Sequence, residues 1–293
     1  MSFGFSLEQP WGVNLDSFLT VPYKMLTGQE ASDFKFVTGV TPLSTPHEVV
    51  ISCVLYLAVI FGGQFLMRRY VDKPFRLPTL SRIHNFLLTI GSALLFGLMV
   101  QEIVPIIAKH GFFYSVCDAS AWTQRLEVLY YINYLFKYYE LLDTVLLVLK
   151  KKPLDFLHYY HHSMTLTICF FQLQGRTTVS WAPIALNLFV HIIMYYYYLL
   201  SSFGIRVWWK KHLTTLQISQ FVIDLGIIYF CTYTYWASTY YPSFPSMGTC
   251  AGTETAAFFG CFSISSYLLL FVQFFIETYQ KKVDAAKDKI KSQ

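Results

Sequence analysis

The chain has 293 residues, of which 55% are hydrophobic, 19% aromatic and only 13% charged. Soluble domains carry about 25% charged residues, so this composition excludes an ordinary soluble domain. With a net charge of +5, 15 Gly, 11 Pro and neither a fixed-period repeat nor a low-complexity run, it also argues against a fibrous or disordered chain, and no nucleic-acid partner is expected. The expected class is an all-α polytopic membrane protein.

Residues 1–47 lack an Arg/Lys stretch followed by an apolar run, so no cleavable signal peptide is expected. They read as an amphipathic or loop-like segment outside the membrane. A spanning helix needs about 20 mostly apolar residues. Seven stretches qualify: 48–67, 83–107, 126–149, 156–174, 179–203, 213–237 and 256–279. The third, fifth and sixth contain polar residues and score lower alone. Residues 48–280 therefore read as one seven-span domain, and 281–293 as a basic tail.

Lys and Arg orient these spans. The loops 68–82, 150–155 and 204–212 and the tail hold sixteen of the 22, the opposite side holds five, and Lys137 falls inside a span. The asymmetry puts the N-terminus outside or in a lumen and the C-terminus in the cytosol. Cys53, Cys169, Cys231 and Cys261 fall within spans, where they read as small apolar residues. Cys117 and Cys250 fall in two loops on the lumenal side, where an oxidising compartment permits a bridge; two free thiols are the alternative.

Ionisable groups inside a span are costly and usually face the bundle interior. The third span carries "FKYYELLDTVLL", with Lys137, Glu140, Asp143 and Thr144. An internal ion pair that fastens helices and a reaction centre both fit this stripe. The fourth span opens with "HYYHH": His158, His161 and His162 share a helical face by their i, i+3, i+4 spacing. The fifth aligns Asn187, His191, Tyr195 and Tyr198. The sixth aligns Gln217, Gln220 and Asp224. A lone His or Gln in a span is more often a packing residue, but here four consecutive spans each contribute a polar stripe. At 1.5 Å per residue, Asp143, His161 and Gln220 lie about 10, 13 and 14 Å from the basic loops, taking the fourth helix to run through Pro153 in its first turn, and His191 about 20 Å. These groups form a layer in the cytosolic half of the membrane, which suits a ligand with an anionic head and a long apolar tail.

Lys137-x-x-Glu140-x-x-Asp143-Thr144, His158-x-x-His161-His162, Asn187-x-x-x-His191-x-x-Met194-Tyr195 and Thr215-Leu216-Gln217-x-x-Gln220 resemble, in order, the four signature blocks of the fatty acid elongases, condensing enzymes of the endoplasmic reticulum. The resemblance covers roughly residues 45–280, and "FLHYYHH", "QLQGRTTVSW" and "SSFGIRVWWKK" are most similar to fungal members. It implies condensation of an acyl-CoA with malonyl-CoA, loss of CO₂, and a 3-ketoacyl-CoA two carbons longer. It implies six of seven spans ringing a tunnel closed at the lumenal end, with His161 and His191 flanking the thioester. It further implies a Cys117–Cys250 disulfide, and a ketoacyl-CoA reductase, a dehydratase and an enoyl reductase as partners in the cycle. The weak tail pattern "KIKSQ" is similar to a retrieval signal for the endoplasmic reticulum. Homo-oligomerisation is left open.

The residues support a chemical reading of their own. A neutral imidazole can attack a thioester, and the acyl-imidazole is itself a good acyl donor. His161 is assigned that role in a ping-pong reaction. His191, held by Asn187, positions the thioester or acts as acid/base, while His158 and His162 orient the site, with Asp143 beside them. Gln217 and Gln220 can donate to the enolate oxygen that decarboxylation produces. Lys150, Arg206, Lys210, Lys211 and Lys281 are candidate ligands for the CoA phosphates, Lys210 and Lys211 foremost, and Trp208 and Trp209 can stack on adenine. The simpler reading of these is orientation signal and aromatic belt. No metal or other cofactor is expected. The rival reading is a histidine-box diiron desaturase or hydroxylase. Such enzymes need about eight ligating histidines, whereas His47, His84, His110 and His212 are isolated here. A lipid carrier or channel is a third class, which leaves the histidines unexplained.

Overall fold

The computed structural model describes residues 5–7 and 9–280, and these fold into helices with no strand. The tail, with Lys281 and the "KIKSQ" pattern, lies outside the described residues. Seven helices have 19 or more residues: α2 (Pro46–Tyr70), α3 (Pro78–His110), α5 (Gln124–Leu149), α6 (Phe156–Gln174), α7 (Trp181–Ser202), α8 (Lys210–Tyr240) and α9 (Glu254–Phe275). Two shorter ones, α1 (Ser17–Thr27) and α4 (Phe112–Cys117), precede α2 and α5.

Local sequence sets the starts. Thr45 and Glu48 form a reciprocal capping box at α2, with Pro46 in its first turn, where a missing N–H costs nothing. Thr123 and Thr253 cap α5 and α9 through their side-chain oxygens. The expected run of the fourth helix through Pro153 does not occur. Asp155 is its N-cap, and Pro153 lies in the connector behind Lys151, whose φ of 52° breaks the helical path. The histidines therefore occupy the first two turns of α6.

Five helices, all but α5 and α6, are long and apolar enough to cross a membrane by length and composition. The third, fifth and sixth expected spans are indeed the weaker ones, the fifth and sixth having mean hydropathies of 1.5 and 1.4 against 1.9 to 2.3 for the first, second and seventh and the third falling short, but the fourth falls short as well. The reason is local: α5 carries Glu127, Lys137, Glu140 and Asp143, and α6 carries the histidine box. These polar groups turn to the bundle interior, where most are paired with side chains of their own or neighbouring helices.

Pairwise packing runs α5–α6, α6–α9, α9–α8, α8–α7, α7–α3 and α3–α5, which closes a circuit of six helices. The remaining long helix, α2, lies outside it against α5 and α6, where Tyr56, Ile60 and Met67 pack on Val148. Its other face exposes Val50, Val54 and Phe65. Such a face is suited to lipid.

Residues 9–45, in the segment expected to be amphipathic or loop-like outside the membrane, include the short helix α1 and pack on one end of the bundle. Trp11 Nε1 donates to the Gly97 carbonyl at 2.9 Å, Phe36 N–H donates to Glu127 Oε1 at 2.7 Å, and Phe34 stacks on Tyr131 at 5.0 Å. Gly97 permits this approach, since a Cβ there would stand 2.9 Å from Leu15 Cδ1. Near this end a disulfide joins Cys117, at the end of α4, to Cys250, just before α9. The Ala251 N–H donates to the Cys117 carbonyl at 2.8 Å, which fixes the same junction.

Candidate active site

The α5 stripe places Lys137, Glu140 and Thr144 on one buried face at helical spacing. Lys137 Nζ donates to Glu140 Oε1 at 2.8 Å and to Asn187 Oδ1 at 3.0 Å. An ammonium only donates, so Asn187 turns its oxygen to Lys137 and its amide nitrogen to His191 Nε2, 3.2 Å away. Nε2 is then an acceptor, and the proton resides on Nδ1. That nitrogen lies 3.3 Å from Glu140 Oε1, at an angle too poor for a full hydrogen bond.

The next stripe positions link further helices. Asp143 accepts from His84 Nε2 at 2.8 Å and from Tyr195 OH at 2.7 Å, joining α5 to α3 and α7. His84, an isolated histidine by sequence, is thus a buried member of the polar layer. Nothing in its local pattern signals this, because its partner is 59 residues away. Tyr56 is a second such residue: its hydroxyl meets Thr144 Oγ1 at 2.7 Å, and His158 Nε2 meets the same oxygen at 3.0 Å. His162 packs its ring on His158 at 4.6 Å.

His161 differs from His158, which bonds Thr144, and from His162, which does not line the cavity. The His161 ring is held by Tyr267 at 4.8 Å and by the edges of Phe271 and His162, and among the described residues no side chain bonds its nitrogens. Of the three box histidines it alone lines the cavity enclosed by the helix circuit, a space of about 520 Å³. Lys137, Asn187 and Gln220 line it too, at the same end. From this layer the cavity runs past Ile168, Ile228 and Ile264 to Cys250 and Gly252, with a largely apolar wall.

Other predicted residues lie differently. His191 is buried one turn from Asn187, with Nδ1 3.3 Å from Glu140 Oε1, and does not line the cavity. Gln217 points to Met194 Sδ at 3.5 Å, away from the cavity, and Gln220 spends one N–H on Asp224 Oδ2 at 3.1 Å. Tyr198 packs on Tyr195 and Tyr197 and is 43% exposed. Cys169 lines the cavity, two turns beyond His161.

Lys210 and Lys211 are exposed in the first turn of α8, and Lys211 lies 5.4 Å over the Phe275 ring. Three features favour an anion there: two ammonium groups, unpaired helix N–H groups and the positive end of the helix dipole. Trp209 packs edge-on against Tyr197, and Trp208 is 85% exposed. Arg206 is exposed in the same loop. Lys150 instead turns inward to Ser81 Oγ; burial pushes its ammonium down from the usual range, while Asp143 opposes the shift.

For a metal, the donor geometry is unfavourable. Among the described residues, the only three His, Cys, Asp or Glu ligand atoms within 4.8 Å of one another belong to Cys117, Cys231 and Cys250, and two of these are joined by the disulfide. The four histidines of the polar layer's α6 and α7 stripes do not converge on one point.

Five apolar helices of membrane-crossing length, four of them joined with α5 and α6 in a circuit whose cavity ends in a buried histidine–carboxylate layer, define a multi-pass membrane protein with an internal polar centre. Residues 41–287 match the GNS1/SUR4 (ELO) family, and the chain belongs to that family. It is 48% identical over 277 residues to the putative fatty acid elongase 1 of Schizosaccharomyces pombe, covering 94% of this chain and 82% of that protein. Fatty acid elongase A of Dictyostelium discoideum is 36% identical, covering 87% and 91%, and long chain fatty acid elongase 1 of Caenorhabditis elegans is 34% identical, covering 82% and 80%.

Proposed function

We propose that this protein catalyses the condensing step of fatty acid elongation: acyl-CoA and malonyl-CoA give a 3-ketoacyl-CoA two carbons longer, with CO₂ and CoA released. The names of its relatives support fatty acid elongation. One observation carries the mechanism: His161 is the box histidine that lines the cavity, with both ring nitrogens free of side-chain partners among the described residues.

An acyl chain lies in the apolar cavity with its thioester at His161. The imidazole nitrogen attacks the thioester carbon, the carbon–sulfur bond breaks, and CoA leaves as the thiol with the ring proton. The acyl-imidazole waits while malonyl-CoA enters. Loss of CO₂ leaves its electron pair as an enolate, which attacks the acyl carbon. The carbon–nitrogen bond breaks, and the imidazole regains a proton from solution. Lys137 and Asn187 face the same space and stabilise the oxyanion, and Gln220 donates its second N–H. His191 and Glu140 act one layer back, holding Asn187 and Lys137 in place, while His84, Tyr195, His158 and Tyr56 fix the α5 carboxylate face. Lys210, Lys211 and Arg206 receive the CoA phosphates at the mouth.

This reading places all seven long helices across the membrane of the endoplasmic reticulum, with the N-terminus and the disulfide lumenal and the polar layer toward the cytosol. A reductase, a dehydratase and a second reductase then process the product. The test is product analysis. Purified protein given an acyl-CoA and malonyl-CoA yields a 3-ketoacyl-CoA heavier by two carbons, and His161→Ala yields none. Oxidised or desaturated acyl product, with stoichiometric iron, would instead establish the histidine-box oxygenase.

A further inference from the structure

The cavity holds a second polar level that the condensation reaction does not use. Asp224 of α8 and Asn133 of α5 both line it, and both are buried, at 0% and 2% exposure. Asp224 Oδ2 accepts from Gln220 at 3.1 Å, but Oδ1 has no protein partner. Asn133 Nδ2 reaches Cys169 Sγ at 3.8 Å, and its Oδ1 has no protein partner either. Each sits four residues from a member of the polar layer, Gln220 and Lys137 respectively. Both steps lead away from that layer toward the disulfide, by about 6 Å. Two helices that are not neighbours in the circuit therefore each contribute to the cavity wall a buried residue with an unsatisfied oxygen, one turn beyond the polar layer.

Chemistry narrows what belongs there. A buried oxygen without a donor costs stability, and a carboxylate costs most, yet Asp224 pairs with no cation among the described residues. Both oxygens are acceptors, so the missing partner is a hydrogen-bond donor. A plain hydrocarbon chain offers none, and a chain hydroxyl offers one. It also suits either state of Asp224, donating to the carboxylate or accepting from the carboxylic acid.

We propose that Asn133 and Asp224 form a specificity subsite for a hydroxyl on the acyl chain, one helical turn beyond the reacting carbonyl, so that this enzyme accepts hydroxylated long-chain acyl-CoAs in register. The inference rests on the proposed condensation, because His161 sets the register. The test is a series of acyl-CoAs of one length carrying a single hydroxyl at successive carbons, each given to the full-length protein with malonyl-CoA. The unsubstituted chain is the control. One narrow window of positions is expected to show a kcat/KM about tenfold above that of positions outside it, as a hydrogen bond to a charged group allows. Asp224→Leu abolishes the window. Asp224→Asn keeps the shape and one acceptor oxygen and retains part of it. Equal handling of every hydroxyl position by the wild type, or a window unchanged in both variants, overturns the subsite and leaves these oxygens to bound water. If the unsubstituted chain gives no condensation product, the proposed function has failed instead.

Discussion

At the residue scale, the site is a set of hydrogen-bond chains with one imidazole, His161, that is free of side-chain partners among the described residues and also faces the cavity. His84 shows how such a chain can be tested away from the reacting atoms. Removing it in His84→Ala leaves the partly buried Asp143 with only Tyr195 as a side-chain partner. A hydrogen bond to a charged group contributes about 1.5–3 kcal/mol, and a loss of that size in the active arrangement should lower turnover roughly 10- to 150-fold. Steady-state kinetics check this, and His84→Asn, which retains a donor, should recover part of the loss. The contrast with the histidine box is instructive about what sequence can reveal. HYYHH was legible because three histidines at helical spacing are improbable in an apolar segment. His84, Tyr56 and Asn133 were not, since each is a single polar residue whose meaning comes from partners 36 to 88 positions away. His191 and Gln217 lie outside the cavity wall for a related reason. Spacing fixes which side chains share a stripe, but not which neighbouring helix that stripe meets.

At the element scale, two features carry predictions. The α6 C-terminus crosses the start of α9 at Gly175, where a Cβ would stand 2.7 Å from Thr253 Oγ1 and 2.9 Å from Ala256 Cβ. Gly175→Ala should therefore cost about 1–3 kcal/mol by overpacking, read as a lower thermal midpoint of the purified protein. The start of α8 is an anion site by charge and by helix polarity. Replacing both Lys210 and Lys211 by Ala should raise KM for acyl-CoA about tenfold, and the gap from wild type should shrink as salt rises, because exposed charges are screened. Equal KM values at low salt would assign these lysines to membrane orientation alone. Element boundaries were largely legible from apolar runs and caps. The fourth span, expected at 156–174, is α6 to the residue; the extension through Pro153 is not, because a proline fits a first turn as readily as a connector, and only the φ of Lys151 separates the two.

At the scale of the whole molecule, the helix circuit makes one wall from segments far apart in sequence. The Cys117–Cys250 disulfide spans 133 residues and ties the approach to α5 to the start of α9. Closing so long a loop constrains the unfolded chain, so Cys250→Ser should lower stability by about 2–4 kcal/mol, measured as a thermal shift under non-reducing conditions. Hydropathy and basic-loop asymmetry made the helical membrane class legible. The closed circuit was not, since no local signal says that α3 returns to α5 or that the N-terminal segment docks on Gly97 and Glu127. The account converges on the chemistry of one side chain. The most direct measurement is the intact mass of the purified protein after exposure to acyl-CoA alone. It should show a gain of one acyl group with release of one CoA, and His161→Ala should show neither. CoA release without an adduct, or an adduct that persists in His161→Ala, would contradict it.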